Sequence, residues 1–187
     1  FQPMVTLSSS LDKLKAGDYR IVCAEFPVTK EHKQEYLFTN PIYLDRQVLV
    51  QAKNGEGGIA IKSQLDLAKD SVWVVNGSSS ELRLKNLSNE IGDTIYVVTE
   101  KNYGAEQLFM RVVSGEIKQA VMNERIATEL AKNYSNIDIS MGISLTQFQS
   151  WILNKADSTL CDSLNVWLDR VQDTPEYNTL YNRYFKE

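Results

Sequence analysis

The sequence predicts an α/β protein with mostly parallel sheet, and three features of its pattern carry that expectation. Short β-rich runs alternate with helical stretches long enough to cross over a sheet. Some runs are almost wholly apolar, such as residues 72–75 and residues 19–24, the latter broken only by Arg20; a strand buried on both faces reads this way. Several runs lead directly into Ser, Thr or Asn, which start helices.

Taken in order, residues 3–7 read as a short strand, and Ser8, Ser9 and Ser10 offer caps for a helix with Leu11 and Leu14 on one face, stopped by Gly17. The strand at 19–24 follows, then a short polar helix capped by Thr29 and running to Tyr36, a turn-like link at 38–41, and a long β-rich run at 42–51. The Gly-rich loop at 54–58 does not lead into a helix with a Lys-Ser/Thr pair, so it reads as a surface turn rather than a phosphate cradle. A helix at 63–69 has a Ser63/Asp66 capping pair, and the strand at 72–75 leads into a second helix where Ser78 and Glu81 have capping-box spacing. Leu84, Leu87 and Ile91 recur along that helix at helical spacing, and Gly92 ends it. Strands at 94–98, 120–122, 137–139 and 148–153 are interleaved with helices at 104–114 and 124–133. The end is helical: Leu160, Leu164, Trp167, Leu168 and Val171 form one stripe, and Thr174-Pro175 starts a last helix carrying Leu180, Tyr181, Tyr184 and Phe185.

Composition narrows the function classes. At 187 residues and 43% hydrophobic content the chain has enough apolar mass for a core, as one domain or two small lobes. Its apolar runs are far shorter than a membrane span. The net charge of -4, with Lys and Arg scattered, argues against nucleic-acid binding. Cys23, in an apolar run, reads as a small core residue; Cys161 falls on a helix, and a bridge between the two stays open.

In open α/β sheets, ligands sit beyond the carboxyl ends of strands, which singles out the loops at 25–29, 76–79 and 123–124. At 76–80, Asn-Gly-Ser-Ser-Ser offers free N–H groups and hydroxyls to an anionic or carbonyl group, although an ordinary helix cap explains Ser78 equally well. His32, the only histidine, has Glu31 and Glu35 nearby and reads as an exposed helix residue. Two isolated cysteines and one histidine give no metal motif, and no acid–base pair stands out; Glu116, Glu124 and Glu129 read as a solvated face. Trp151 and Trp167 have core-like spacing.

The residues in order, "LDKLKAGDYRIVCAEFPVTKEHKQEYLFTNPIYLDRQVLV", "VWVVNGSSSELRLK", "VVSGEIKQAVMNERIA" and "DSLNVWLDRVQDTPEYNTLYNRYF", resemble the family 3 solute-binding proteins, bacterial extracytoplasmic receptors for amino acids and related solutes. Within that group the chain is most similar to the binding modules fused to membrane-bound lytic murein transglycosylases. The resemblance implies a two-lobe periplasmic-binding-protein-like fold, with lobe 1 built from residues 1–50 and 141–187 and lobe 2 from residues 51–140. It also implies that lobe 1 lacks its usual first strand and helix, leaving an incomplete sheet whose edge is exposed or covered by a partner chain, with self-association as one outcome. The family's ligand-contact positions fall on Glu25, Pro27, His32, Gly77, Ser78 and Asn123. Only Gly77 and Ser78 keep the family pattern: Glu25 and Pro27 stand where it usually has small polar residues, His32 replaces the arginine that grips a carboxylate, and Asn123 replaces the acid that pairs with an ammonium. The implied role is non-catalytic and cofactor-free. The ligand would be a small polar solute or cell-wall peptide, the partner an ABC transporter permease or a fused transglycosylase domain, and the location periplasmic or membrane-anchored outside the cytoplasm.

Overall fold

Residues 48–50 and 120–122 are apolar at every position, and each is at most 3% exposed, because their strands are covered on both faces. The structure is a computed structural model that describes residues 2–4 and 6–185; the side chains of Glu25, Tyr184 and Phe185 lie outside that description. The chain divides into two compact units, Phe1–Leu11 with Asp45–Thr146 and Asp12–Leu44 with Gln147–Glu187.

The larger unit is organised around a five-stranded sheet of β4 (Gln47–Ala52), β5 (Ser71–Val75), β6 (Tyr96–Glu100), β7 (Gln119–Asn123) and β8 (Ile137–Asp138), in the order β6-β5-β7-β4-β8. One face carries α4 (Ala105–Val113) and α5 (Glu124–Ala131), whose Leu108, Phe109, Val112 and Ala127 pack with Val48, Val50, Ala120 and Met122. The other carries α3 (Ser79–Ile91), whose Leu84 and Leu87 pack with Leu49, Val72, Val74 and Val121. α3 ends at Gly92, whose φ of 72° is the left-handed conformation glycine adopts without a Cβ penalty. Before β5, Gln64–Leu67 forms a single 3₁₀ turn, and the Asp66 carboxylate accepts the Ser63 N–H at 2.8 Å.

The smaller unit holds β1 (Ile21–Pro27), β2 (Tyr36–Phe38) and β9 (Gln147–Asn154) in the order β1-β9-β2, with β3 (Tyr43–Asp45) also pairing β9. It also contains α2 (His32–Glu35), α6 (Ser158–Gln172) and α7 (Pro175–Phe185). α1 (Leu7–Ala16) runs across the boundary in sequence. Among the described residues β1 pairs on one side only, with β9.

The α/β architecture is as expected, but the sheets are mixed rather than mostly parallel. Among the described pairings of known direction, β5–β6 and β5–β7 run parallel, while β4–β7, β4–β8, β1–β9 and β2–β9 are antiparallel. The strand expected at 3–7 is absent: the described residues there are irregular up to Leu7, where α1 begins, and Val5 lies outside the description. The Thr6 carbonyl already serves the helix, accepting the Ser10 N–H at 3.2 Å. Cys23 is exposed rather than in the core, while Cys161 is buried; both are free thiols. Trp167 is half exposed and stacks on Trp151, ring centroids 6.5 Å apart, so it belongs to a surface aromatic pair, while its stripe neighbour Leu168 is buried. No helix among the described residues is long and apolar enough to cross a membrane.

Candidate functional site

β5 and β7 run parallel, so their carboxyl ends lie at the same edge of the larger sheet. The chain leaves β5 through Asn76 and Gly77, whose φ of +74° turns it into α3 at Ser78. The expected capping box does not form. The Ser78 hydroxyl makes no cap hydrogen bond, and Glu81 instead accepts the Gly77 N–H at 3.3 Å through Oε2. Ser78 Oγ is buried without a partner among the described residues. The hydroxyl that capping would have used is therefore spare, at the partially positive end of a helix of 13 residues.

β7 leaves the sheet through Asn123, which takes the N-cap position of α5 without a side-chain cap hydrogen bond, and the β4–β7 register sets Asn123 opposite Gln47. Gln47 ties the two loops together. It is 4% exposed, its Nε2 donates to Ser79 Oγ at 2.8 Å, and its own N–H donates to Ser144 Oγ at 2.9 Å. Its Oε1 is buried and, like Ser78 Oγ, has no partner among the described residues. Gly77, Ser78 and Asn123 are thus brought to one cluster, together with Gln47 and Ser79.

Arg46 and Glu124 complete this edge. The guanidinium forks onto the carboxylate, Nε to Oε2 at 2.8 Å and Nη2 to Oε1, and the Glu124 N–H donates to the Arg46 carbonyl at 2.8 Å. The hydrogen bond it donates to Glu124 holds the guanidinium above its ordinary pKa, with desolvation opposing it and Asp45 reinforcing it. Glu124 is accordingly an ion-pair partner, not part of a solvated face; Glu116 and Glu129 are more than half exposed.

Of the remaining expected contacts, Pro27 and His32 lie in the smaller unit, and the side chain of Glu25 is outside the described residues. His32 is not an exposed helix residue. Its ring packs on Phe26 with centroids 4.6 Å apart, Nδ1 donates to the Pro27 carbonyl at 3.3 Å, and its N–H donates to Thr29 Oγ1 at 3.2 Å. Burial lowers its pKa, against the Pro27 carbonyl and the nearby Glu35 and Glu31.

Sequence reasoning missed Gln47 and Arg46 as site neighbours; it placed Glu124 in the loop at 123–124 but read its side chain as part of a solvated face. One signal was available: a glutamine opening the run Gln-Val-Leu-Val is a polar residue in a strand otherwise fit for burial.

The profile of the bacterial extracellular solute-binding proteins, family 3, matches residues 1–187. Membrane-bound lytic murein transglycosylase F of Photobacterium profundum is 25% identical over 185 residues, 98% of this chain and 36% of that protein. The ABC transporter glutamine-binding protein GlnH of Bacillus subtilis is 24% identical over 184 residues, 98% of this chain and 64% of that protein. The chain thus spans between about a third and two thirds of these relatives. Among solved structures, an ancestral arginine-binding protein bound to arginine superposes with a TM-score of 0.83 at 24% identity, covering 99% of this chain and 79% of that one. At that identity the likeness speaks for the fold.

Proposed function

The chain belongs to the bacterial extracellular solute-binding proteins, family 3, and from that membership we propose that it is a non-catalytic extracytoplasmic module whose two units act as lobes that close on a small polar ligand. The observation that carries the proposal is the spare Ser78 hydroxyl at the start of α3, grouped with Gln47 and Asn123 at the carboxyl ends of β5 and β7. A buried polar atom without a partner is unfavourable by about 1–3 kcal/mol, which a ligand hydrogen bond would recover. On this reading Gly77, Ser78 and Asn123 contact ligand from one lobe, and Glu25, Pro27 and His32 from the other.

Free α-amino acids are not the expected ligands. A neutral imidazole at His32 cannot make the two-pronged contact of an arginine with a carboxylate, and the Asn123 amide brings no countercharge for an ammonium. A thermal-shift screen of polar solutes and muropeptides tests the reading: a true ligand at a hundred times its Kd stabilises by about 2.7 kcal/mol. Isothermal titration with the common amino acids tests the exclusion, and low-micromolar binding by any of them would sink it. An ABC transporter permease is the natural partner of such a module.

A second reading is a peptidoglycan- or muropeptide-sensing regulatory domain of a lytic murein transglycosylase, favoured by the relative of that name aligned over 98% of this chain. Sequencing the gene beyond the codon for Glu187 separates the two: a muramidase-like catalytic domain there selects the second.

A further inference from the structure

Charge at the carboxyl edge of the larger sheet is matched in pairs. Glu124 is forked by Arg46, and the same guanidinium lies in the field of Asp45, which is 4% exposed and accepts the Arg46 N–H at 2.8 Å through Oδ1. Glu81 pairs with Lys85 at 2.7 Å and also accepts the Gly77 N–H. Glu100, at the end of β6, accepts Arg111 Nη1 at 2.9 Å, and Arg111 also pairs with Glu116 and lies over the Trp73 ring, 4.4 Å from its centroid. Gln47 and Ser78 add neutral oxygens that are buried and have no partner among the described residues. Gln47 Oε1 can only accept, and Ser78 Oγ retains its accepting lone pairs.

From this distribution we infer that the group of the ligand held by the larger unit is uncharged and donates hydrogen bonds through N–H or O–H, as a carboxamide or a sugar hydroxyl does, and that Arg46 enforces this by engaging Glu124. The inference rests on the solute-binding reading and narrows it to a ligand class. A cationic group arriving here would meet a carboxylate already held by a fork of two charge-assisted bonds, while a donor meets two buried oxygens with no partner to lose. Specificity then arises from cancelling a charge within the protein rather than from adding a contact.

Calorimetric titration of the full chain and its variants tests this. The probes are L-lysine, succinate, and the uncharged N-acetylglucosamine and N-acetylalanine amide. The wild-type chain is expected to take up an uncharged probe and show no saturable heat with lysine. Arg46→Met, which releases Glu124, is expected to gain at least tenfold in lysine affinity, and Arg46→Met/Glu124→Gln to lose that gain. Glu124→Gln, which releases Arg46 instead, is expected to gain affinity for succinate, and it keeps the test alive should Arg46→Met fail to fold. Wild-type binding of lysine as tight as that of Arg46→Met overturns the inference, as does a pair of folded single variants that gain nothing. If those variants gain nothing while the wild type still takes an uncharged probe, the solute-binding reading stands and the role of Arg46 falls. If the wild type binds no probe but both variants gain their charged ones, the role of Arg46 stands and the uncharged ligand class falls; if the wild type and both folded variants bind no probe at all, the solute-binding reading falls with the inference.

Discussion

A proton added to His32 would create a charge beside the Phe26 ring in a half-buried position, and burial is what lowers its pKa. The unfolded chain, with an ordinary value of about 6.5, therefore binds more protons than the folded one between that value and the lowered one. Stability rises with pH where the unfolded state holds more protons, so His32 contributes fully above about 6.5 and its contribution is lost as pH falls through the lowered folded value. Urea midpoints measured from pH 7.5 downward should fall more steeply for the wild type than for His32→Gln just below pH 6.5; parallel curves would show that the imidazole is not desolvated. The cysteines give a second residue-scale expectation. Cys23 is exposed, whereas Cys161 is buried with Sγ 3.2 Å from the Phe38 carbonyl, and burial raises the pKa of both thiols. Maleimide labelling should modify Cys23 in the native protein and reach Cys161 only after denaturation. Complete resistance of Cys23 would place it in a bridge or in the core.

Elements differ in what holds them. α4 is held by its buried face, with Leu108, Phe109 and Val112 each fully buried, so Phe109→Ala should cost about 3–5 kcal/mol in a denaturant titration. Leu145, 86% exposed, is the contrast: its truncation should stay within about 0.5 kcal/mol. The turn into α3 is held by backbone geometry. An added Cβ at Gly77 would meet Leu11 Cδ1 at an ordinary 3.5 Å, so Gly77→Ala acts through its φ of +74° and should cost about 1–2 kcal/mol, read as a lower melting temperature. These differences mark what was legible in the sequence. Gly92, the Ser63/Asp66 pair and the spacing of Leu84 and Leu87 are local signals, and local rules place the elements they belong to. Strand direction is not local. The run at 19–24 looks the same beside a parallel or an antiparallel neighbour, and its partner β9 lies more than a hundred residues away. The site divides in the same way. Gly77 and Ser78 are legible as a strand-to-helix turn, but the sparing of the Ser78 hydroxyl goes with the Glu81 N–H donating to the Ser78 carbonyl instead, and the neutralising of Glu124 depends on Arg46, 78 positions earlier. Trp167 lies outside the core despite its spacing, because helical periodicity defines a stripe without saying that the stripe is covered along its whole length.

At the scale of the whole molecule, β1 is an edge strand of the smaller sheet among the described residues. β1 is seven residues long, pairs only β9 among the described residues, and reads Ile-Val-Cys-Ala-Glu-Phe-Pro, with Glu25 its one charge. Natural sheets guard such edges with lysines, bulges or covering elements, since a row of unpaired N–H and C=O groups is a template for another strand. Here the register shifts between Val22 and Phe26, which twists the strand, and a cavity of about 290 Å³ lined by Cys23, Ala24, Tyr43 and Trp151 opens beside it. The bulge is a partial guard, because the residues on either side of it remain regular strand. Two copies could pair antiparallel along this edge about a two-fold axis, placing the same surface of each against the other. Sedimentation velocity under reducing conditions, where no intermolecular disulfide can form, should therefore show a sedimentation coefficient that rises with concentration. Cys23→Lys puts a charge at an exposed position of the same strand and should suppress the rise without lowering the melting temperature by more than a degree or two, since surface substitutions usually change stability by less than about 0.5 kcal/mol. A wild-type coefficient that stays flat across the range would mean that the bulge guards the edge by itself. A rise that persists unchanged in Cys23→Lys would move the contact elsewhere, with the exposed Trp167 and Val166 on α6 the first surface to test.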